Sequence, residues 1–478
     1  VVLSFLISSC KPTPANKNPD ENANKQNGEI NKLTNDGKPL DLAQSYLKNN
    51  IKQSLNDVSI FKNSTQINKW QLPNDYKNRY PVSLPMIPKG NMIYYLTNQR
   101  EISEGYNVLH PDKKYYNPVV AFDTLTKQNR WIYKIEYPLF SSLAISDRSA
   151  FMGTNISDKA IGRDKNYLVA LDIVTGKEKW TFHLKDHLPQ EILQANGELM
   201  SISIKGGIQY WNQQVLCIVE ANKYIRGGDD YYFNYLLSLN ENDGSINWYH
   251  IFPTGEDFSY CSTFLIDHDK LYIANGDPHS PDYLLYSLDL PKHQFKKKTE
   301  IMIKDILITP STTFFLSNNK PYLVGAIDLE SGKIPWSIGL KTLPKDIDID
   351  YSHMYIFENW LVLSSDYKLT GVDLNEPDNL WTIWMEDLEP YMFHAFVQDD
   401  SILYFGIGPQ DWNQGETYVV AFDITTRQFL WKWKIPYNPN IAPGVITGSL
   451  YISTAPTLMN GSLYFISSHG EMYEMLVK

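Results

Sequence analysis

The chain has 478 residues, 43% of them hydrophobic, 20% charged and 13% aromatic, which supplies a large buried core and excludes a disordered protein. Its 43 basic residues stand against 54 acidic ones, net −11, spread along the chain, so it carries no basic footprint for nucleic acid. The three cysteines, Cys10, Cys217 and Cys261, form none of the close pairs used by zinc sites or thioredoxin-like centres.

The chain opens with an apolar run, Val1 to Cys10, that ends in small residues. A membrane span needs about 20 apolar residues, so this run reads instead as the back half of a secretory signal. Ile7-Ser8-Ser9-Cys10 has the form of a bacterial lipobox, which makes Cys10 the lipid attachment residue and the membrane a partner through that lipid. Residues 11–37 are rich in Asn, Lys, Pro and Asp and read as a disordered tether. Over 38–57, Leu40, Leu42, Ala43, Tyr46, Leu47, Ile51 and Leu55 recur at steps of three and four, which predicts one short amphipathic helix packed on the body that follows.

From residue 64 to 478 one pattern repeats. Seven short apolar strands end in a small residue, an apolar residue and then an acid or its amide, at Asp123, Asp172, Asn240, Asp289, Asp328, Asp373 and Asp423. Eight positions later stands a tryptophan in six of the seven: Trp131, Trp180, Trp248, Trp336, Trp381 and Trp431, with Lys297 the exception. The acid is suited to accept backbone N–H groups and start a turn, and Gly176, Gly244 and Gly332 supply a positive φ four residues on. The returning strand then carries an indole to fill the gap between sheets, where its N–H needs a fixed acceptor. These Asp and Trp residues are structural anchors, not catalytic ones.

Two further strands precede each anchor, so each unit has four antiparallel strands at a mean period of 50 residues. That is the signature of a β-propeller. Three strands follow the last anchor, ending at Leu476, and an isolated turn with Trp70 precedes the first unit. The prediction is an all-β, eight-bladed β-propeller whose last blade is closed by an N-terminal strand, leaving no open edge.

Val169 to Trp180, Val-Ala-Leu-Asp-Ile-Val-Thr-Gly-Lys-Glu-Lys-Trp, resembles the tryptophan-docking repeat of the pyrroloquinoline quinone (PQQ) propellers, with looser copies ending at Trp336 and Trp431. Two branches of that superfamily imply different functions. Quinoprotein dehydrogenases use adjacent cysteines, a calcium ion and a catalytic Asp. Here Cys217 and Cys261 are far apart, and no position matches the catalytic Asp. The lipobox, tether and ring look more like BamB-type outer-membrane assembly lipoproteins. That resemblance implies a non-catalytic protein-binding scaffold of the bacterial cell envelope, without a cofactor, whose partner is another envelope protein such as a β-barrel assembly component. The alternative is a divergent PQQ-dependent dehydrogenase.

No metal site is expected. Asp346, Asp348 and Asp350 fail the calcium-loop template at its Gly and Glu positions, and His183 and His187 sit at a strand end. Cys217 and Cys261 either pair in an oxidising compartment or lie as separate buried thiols. Long connections between second and third strands, at Asn98–Asn117, Asn155–Asn166, Lys205–Phe233 and Ile407–Thr417, would emerge on one face as a binding surface. They carry Tyr115, Tyr116, Trp211, Asp229, Asp230, Tyr231, Tyr232 and Trp412, a mixture of aromatic and acid suited to recognition.

Overall fold

The computed structural model describes residues 50–53, 59–61, 67–71, 79–82, 86–96, 98–101, 116–136, 143–154, 166–224, 230–252, 261–275, 284–299, 303–308, 312–317, 322–328, 331, 333–340, 351–365, 368–376, 379–385, 391–409, 416–436, 456–467 and 471–477. They form eight four-stranded antiparallel blades, at 87–136, 144–183, 198–251, 261–299, 303–340, 351–385, 391–434 and 457–476, the last completed by Ile67–Gln71. The first strands of blades 3, 4, 5 and 6 adjoin one another, which places them innermost. Middle strands are covered on both faces. Ser149–Gly153 in blade 2 and Ser462–Ile466 in blade 8 are buried at every position, which is why they read as unbroken apolar runs rather than alternating ones.

Register gives the ring two faces. The hairpin between first and second strands and the Asp turn between third and fourth lie at the same end of a blade, as Trp360↔Asp373 shows in blade 6. We call this the turn face. The connections between second and third strands, and those between blades, lie at the opposite end, the loop face.

The turns form as the sequence implies. Asp123 Oδ1 accepts the backbone N–H groups of Leu125 (2.9 Å) and Thr126 (3.2 Å), and Asp172 Oδ1 accepts those of Val174 (3.2 Å) and Thr175 (2.8 Å). The fifth residue of the turn adopts a left-handed backbone: Gly176 (φ 67°), Gly244 (φ 71°), but also Lys127 (φ 60°), His293 (φ 53°) and Arg427 (φ 59°). This residue is the seat of the preceding blade's tryptophan. A Cβ on Gly176 would lie 2.6 Å from the Trp131 ring, and one on Gly244 would lie 2.8 Å from the Trp180 ring, so both indoles rest on a bare Cα. Their N–H groups donate to the carbonyls of Ile173 (3.0 Å) and Glu241 (2.8 Å), one residue past the next blade's anchor. Where the seat is not Gly the contact changes chemistry. His293 lies 4.5 Å from Trp248, and the Arg427 guanidinium and Lys127 ammonium each stand 5.9 Å from the rings of Trp381 and Trp70.

The small residue two before each anchor has a different partner from the neighbouring sheet that its size suggested. It pairs across strands with its own blade's tryptophan, as in Ala121↔Trp131, Ala170↔Trp180 and Gly371↔Trp381. At Gly371 a Cβ would come within 2.1 Å of the indole, which lies back over its own sheet. The Trp381 Nε1 accordingly has no acceptor among the described residues.

The ring closes as predicted. Ile67–Gln71 pairs antiparallel with Glu471–Leu476, from Ile67↔Met475 to Gln71↔Glu471, and becomes the outermost strand of blade 8. Two buried carboxylates fasten it. Asn68 Nδ2 and the Tyr464 hydroxyl donate to Glu474, which also pairs with Lys127 of blade 1, and Lys69 pairs with Glu471 at 3.0 Å.

Part of the stretch expected to be helical differs, and the rest lies outside the described residues. Within 38–57 the described residues, Asn50–Gln53, form a strand that pairs parallel with Leu380–Met385, the outer strand of blade 6. Ser59 and Phe61 then exchange hydrogen bonds with Lys432 on the edge of blade 7 (2.9 and 2.8 Å), and the Phe61 ring packs 4.7 Å from Trp431. The described residues of 50–71 thus form a belt over three successive outer edges. The outer strand of blade 6, Leu-Trp-Thr-Ile-Trp-Met, has no charged residue, and an uncharged open edge is a template for pairing that the belt occupies. Tertiary pairing has overridden the helical spacing.

Candidate binding surface

Blade 3 is unlike its neighbours. Its first three strands, Glu198–Trp211, Gln214–Tyr224 and Asp230–Asn240, run 14, 11 and 11 residues, whereas the middle strands of blade 4, Lys270–Asn275 and Leu284–Asp289, have six each. At about 3.4 Å per residue, the five extra residues add roughly 17 Å of strand towards the loop face. The segment Lys205–Phe233, expected to be a long connection, is therefore mostly strand. Polar residues on one side interrupt its apolar pattern and disguise it.

Cross-strand rows assign the two sides of this wing. One side carries Leu199–Lys223–Tyr231, Ile202–Ala221–Phe233 and Ile204–Val219–Tyr235. It packs with Leu184, Leu188 and Ile192 from the connection between blades 2 and 3, which contains the short helix Gln190–Gln194. The buried Lys223 ammonium donates to the carbonyls of Ile192 (2.7 Å), Leu193 and Ala195 at the end of that helix, a cationic cap on otherwise orphan acceptors. Tyr249 on the outer strand donates to Glu191 at 3.2 Å. The wing is therefore fastened to a fixed support and presents Tyr224, Tyr231, Tyr232 and Leu193 at 40%, 48%, 42% and 55% exposure.

The predicted surface residues are not all brought together. Tyr231 and Tyr232 both stand at the loop face, but on opposite sides of the sheet. Asp230 pairs with Tyr224 at the tip of the wing. Trp211 lies beside the hairpin Asn212–Gln213 on the turn face, packed with Trp248 and Ile266. It leaves the candidate surface because the strand before it was read as a loop. Tyr116 begins the third strand of blade 1, opposite Glu136 at the loop face. In the first connection Asn98–Glu101 pairs with Arg79–Val82 as a small sheet. Tyr115, Asp229, Trp412, Cys10 and Asp346 to Asp350 lie outside the described residues.

Hydrogen bonds set the charge state of the anchors. The donors of Thr126 and Leu125 hold the Asp123 carboxyl below the usual aspartate value, and those of Thr175 and Val174 do the same for Asp172. These carboxylates are occupied by turn formation, as expected of structural groups. The Cys217 thiol is free, buried and pushed up to about 12 by desolvation, a poor nucleophile. The Lys368 amine, buried at the loop end of blade 6, is pushed down to about 7 by desolvation. His183 packs tilted against Tyr167 at 5.7 Å and His187 stacks on Phe182 at 4.4 Å, so ring packing accounts for both. Among the described residues no three His, Cys, Asp or Glu side chains gather as a metal site, and no helix is long and apolar enough to cross a membrane.

No family model matches the chain, and no curated protein matches it. Solved structures do. The Dos1 propeller aligns with a TM-score of 0.52 at 13% identity, covering 89% of this chain and 97% of that one. The chain is a β-propeller. The computationally designed Ika8 protein aligns at 10% identity with a TM-score of 0.48, covering 84% of this chain and 97% of its own, and the β-propeller domain of the Trilobed protease from Pyrococcus furiosus at 10% with 0.41, covering 76% and 98%. At such identities the likeness shows the fold and no activity.

Proposed function

We propose that this protein is a lipid-anchored scaffold of the bacterial cell envelope that holds another protein on its loop face. The observation that carries this reading is the blade 3 wing, a long supported sheet at the loop face with Tyr224, Tyr231 and Leu193 exposed at its edge. The lipobox at Cys10 and the following tether support anchoring. Their order before the ring supports the more specific form, a BamB-like part in outer-membrane protein assembly. No observation favours the quinone-dependent alternative. Affinity capture from native membranes tests the reading: a double variant, Tyr231→Ala with Leu193→Ala, loses the captured partner, and an unchanged partner set removes the wing from the interface. Anchoring is tested separately by Cys10→Ala, which releases the protein from the membrane fraction.

A further inference from the structure

The turn face is not uniform around the ring. Among the described residues, its exposed large apolar side chains fall on four consecutive blades. Leu476 (36%) stands beside the hairpin of blade 8, Leu125 (65%) and Val174 (56%) at the tips of the turns of blades 1 and 2, and Ile246 (38%) just past the turn of blade 3. Blades 4 to 7 place none there. The blade joints tie these positions into one surface. Lys127, in the Leu125 turn, pairs with Glu474 of blade 8, the Trp131 ring rests on Gly176 in the Val174 turn, and the Trp180 ring rests on Gly244, two residues before Ile246.

Charge divides the face along the same line. In blades 6 and 7 its hairpins and turns hold Glu358, Asp373, Glu376, Asp399, Asp400 and Asp423 against Arg427. On the apolar arc the aspartates are engaged locally: Asp123 and Asp172 by backbone N–H groups of their turns, Asp243 by Ser245, and Asp147 by Lys89 at 2.7 Å. Arg130, Arg148 and Lys177 are left exposed. Two of them flank the blade 2 tip: Lys177 ends the Val174 turn, and the Arg148 carbonyl accepts the N–H of Ile173 at 3.0 Å.

Separate apolar tips flanked by long cationic side chains suit a lipid interface, because each tip enters the headgroup region on its own while each cation meets a lipid phosphate. A protein partner would instead call for apolar side chains gathered round one pocket. The path of the chain points the same way. Asn50, where residues 1–49 join the belt, lies at the turn-face end of blade 6, so the segment that carries Cys10 reaches the ring on this face. We infer that the turn face of blades 8, 1, 2 and 3 lies on an anionic lipid surface, with Leu125 and Val174 as the inserted tips. The orientation rests on the lipid-anchor reading, whereas the surface chemistry stands without it. The acidic turn face of blades 6 and 7 is held off the bilayer, and the loop face is left directed towards a protein partner.

Sedimentation of the purified, unacylated Cys10→Ala chain with phosphatidylethanolamine–phosphatidylglycerol vesicles, beside phosphatidylcholine vesicles, tests the surface. The chain sediments with the anionic vesicles and less with the neutral ones. Leu125→Glu combined with Val174→Glu weakens the association tenfold or more. Thr425→Glu, at the equivalent turn position of blade 7, leaves it unchanged. Thermal melts of both variants match the parent, as expected of exposed positions. Failure of the parent to sediment with anionic vesicles, or equal sedimentation by the double variant, overturns the proposal, and a captured protein lost by the double variant with vesicle binding intact assigns the arc to a protein instead. Mass spectrometry of the protein from native membranes reads the anchor separately: an unmodified Cys10 with vesicle binding intact fails the anchor reading alone.

Discussion

At the joint between blades 2 and 3 an indole lies on a bare Cα; at the joint that closes the ring, between blades 8 and 1, the equivalent indole faces an ammonium group. Trp180 rests on Gly244 and donates to Glu241, so shape and one hydrogen bond hold the blades together. Trp70 instead packs 5.1 Å from Phe122 with the Lys127 ammonium over its ring, and Lys127 continues to the buried Glu474. The difference follows from connectivity. A strand joined to its neighbour by a tight turn is already in place, and only the gap beside it has to be filled. Ile67–Gln71 reaches blade 8 from the far end of the chain, and the directional contacts of Asn68, Lys69 and Lys127 define its register where no turn can.

This contrast can be broken at either joint. The largest effect is expected from Trp180→Ala, which removes a buried indole and destabilises by about 3–5 kcal/mol, measured by denaturant unfolding. Gly244→Ala should follow at about 3 kcal/mol, from steric overlap with the ring and a left-handed Ala together. The same change at Lys127, Lys127→Ala, costs about 1–2 kcal/mol because the half-exposed ammonium is screened while Glu474 keeps two other donors. A Gly244 variant as mild as the Lys127 one would show that the seat tolerates a side chain and that the contact chemistry is interchangeable.

Acid sharpens the comparison further. Burial opposes ionisation of Glu474, yet the donors Lys127, Tyr464 and Asn68 outweigh it and hold its carboxyl below the ordinary glutamate value. A carboxyl lowered in the folded state stabilises above its unfolded pKa, and that contribution is lost as pH falls through the folded value. Below about pH 4.5, hydrogen exchange at Trp70 and Met472 should rise ahead of exchange at Trp180, and Glu474→Gln should abolish that difference. Smallest of all, Asp172→Asn should leave the melting temperature nearly unchanged, since an amide oxygen still accepts the turn donors, as Asn240 does from Asn242 at 2.8 Å.

The repeat was legible because its determinants are local. An acid, a turn and a tryptophan at fixed spacing report blade count, strand order and closure without reference to anything distant. The seat of each ring was not legible, because Gly176 shows its positive φ in sequence but not the indole of another blade lying on it. The belt was hidden for a related reason. Asn50–Gln53 is a strand only because the edge of blade 6 is there to pair with, and its spacing satisfies a helix equally well. In the wing, Glu220, Asn222 and Lys223 broke the apolar alternation that marks a strand, so a long sheet was concealed as a loop.

The belt also sets how the ring bears load. Asn50–Gln53 runs in the same direction as Leu380–Met385, from the turn face towards the loop face, so Asn50, where the preceding chain joins it, lies at the turn-face end. Tension applied through that chain, away from the turn face, is directed along the strand axis. The bonds of the parallel ladder are then strained together, in shear, instead of one after another as in peeling from an end. A ring held by its N-terminus in this way would yield at blade 6 under a higher force than one held by a strand that unzips.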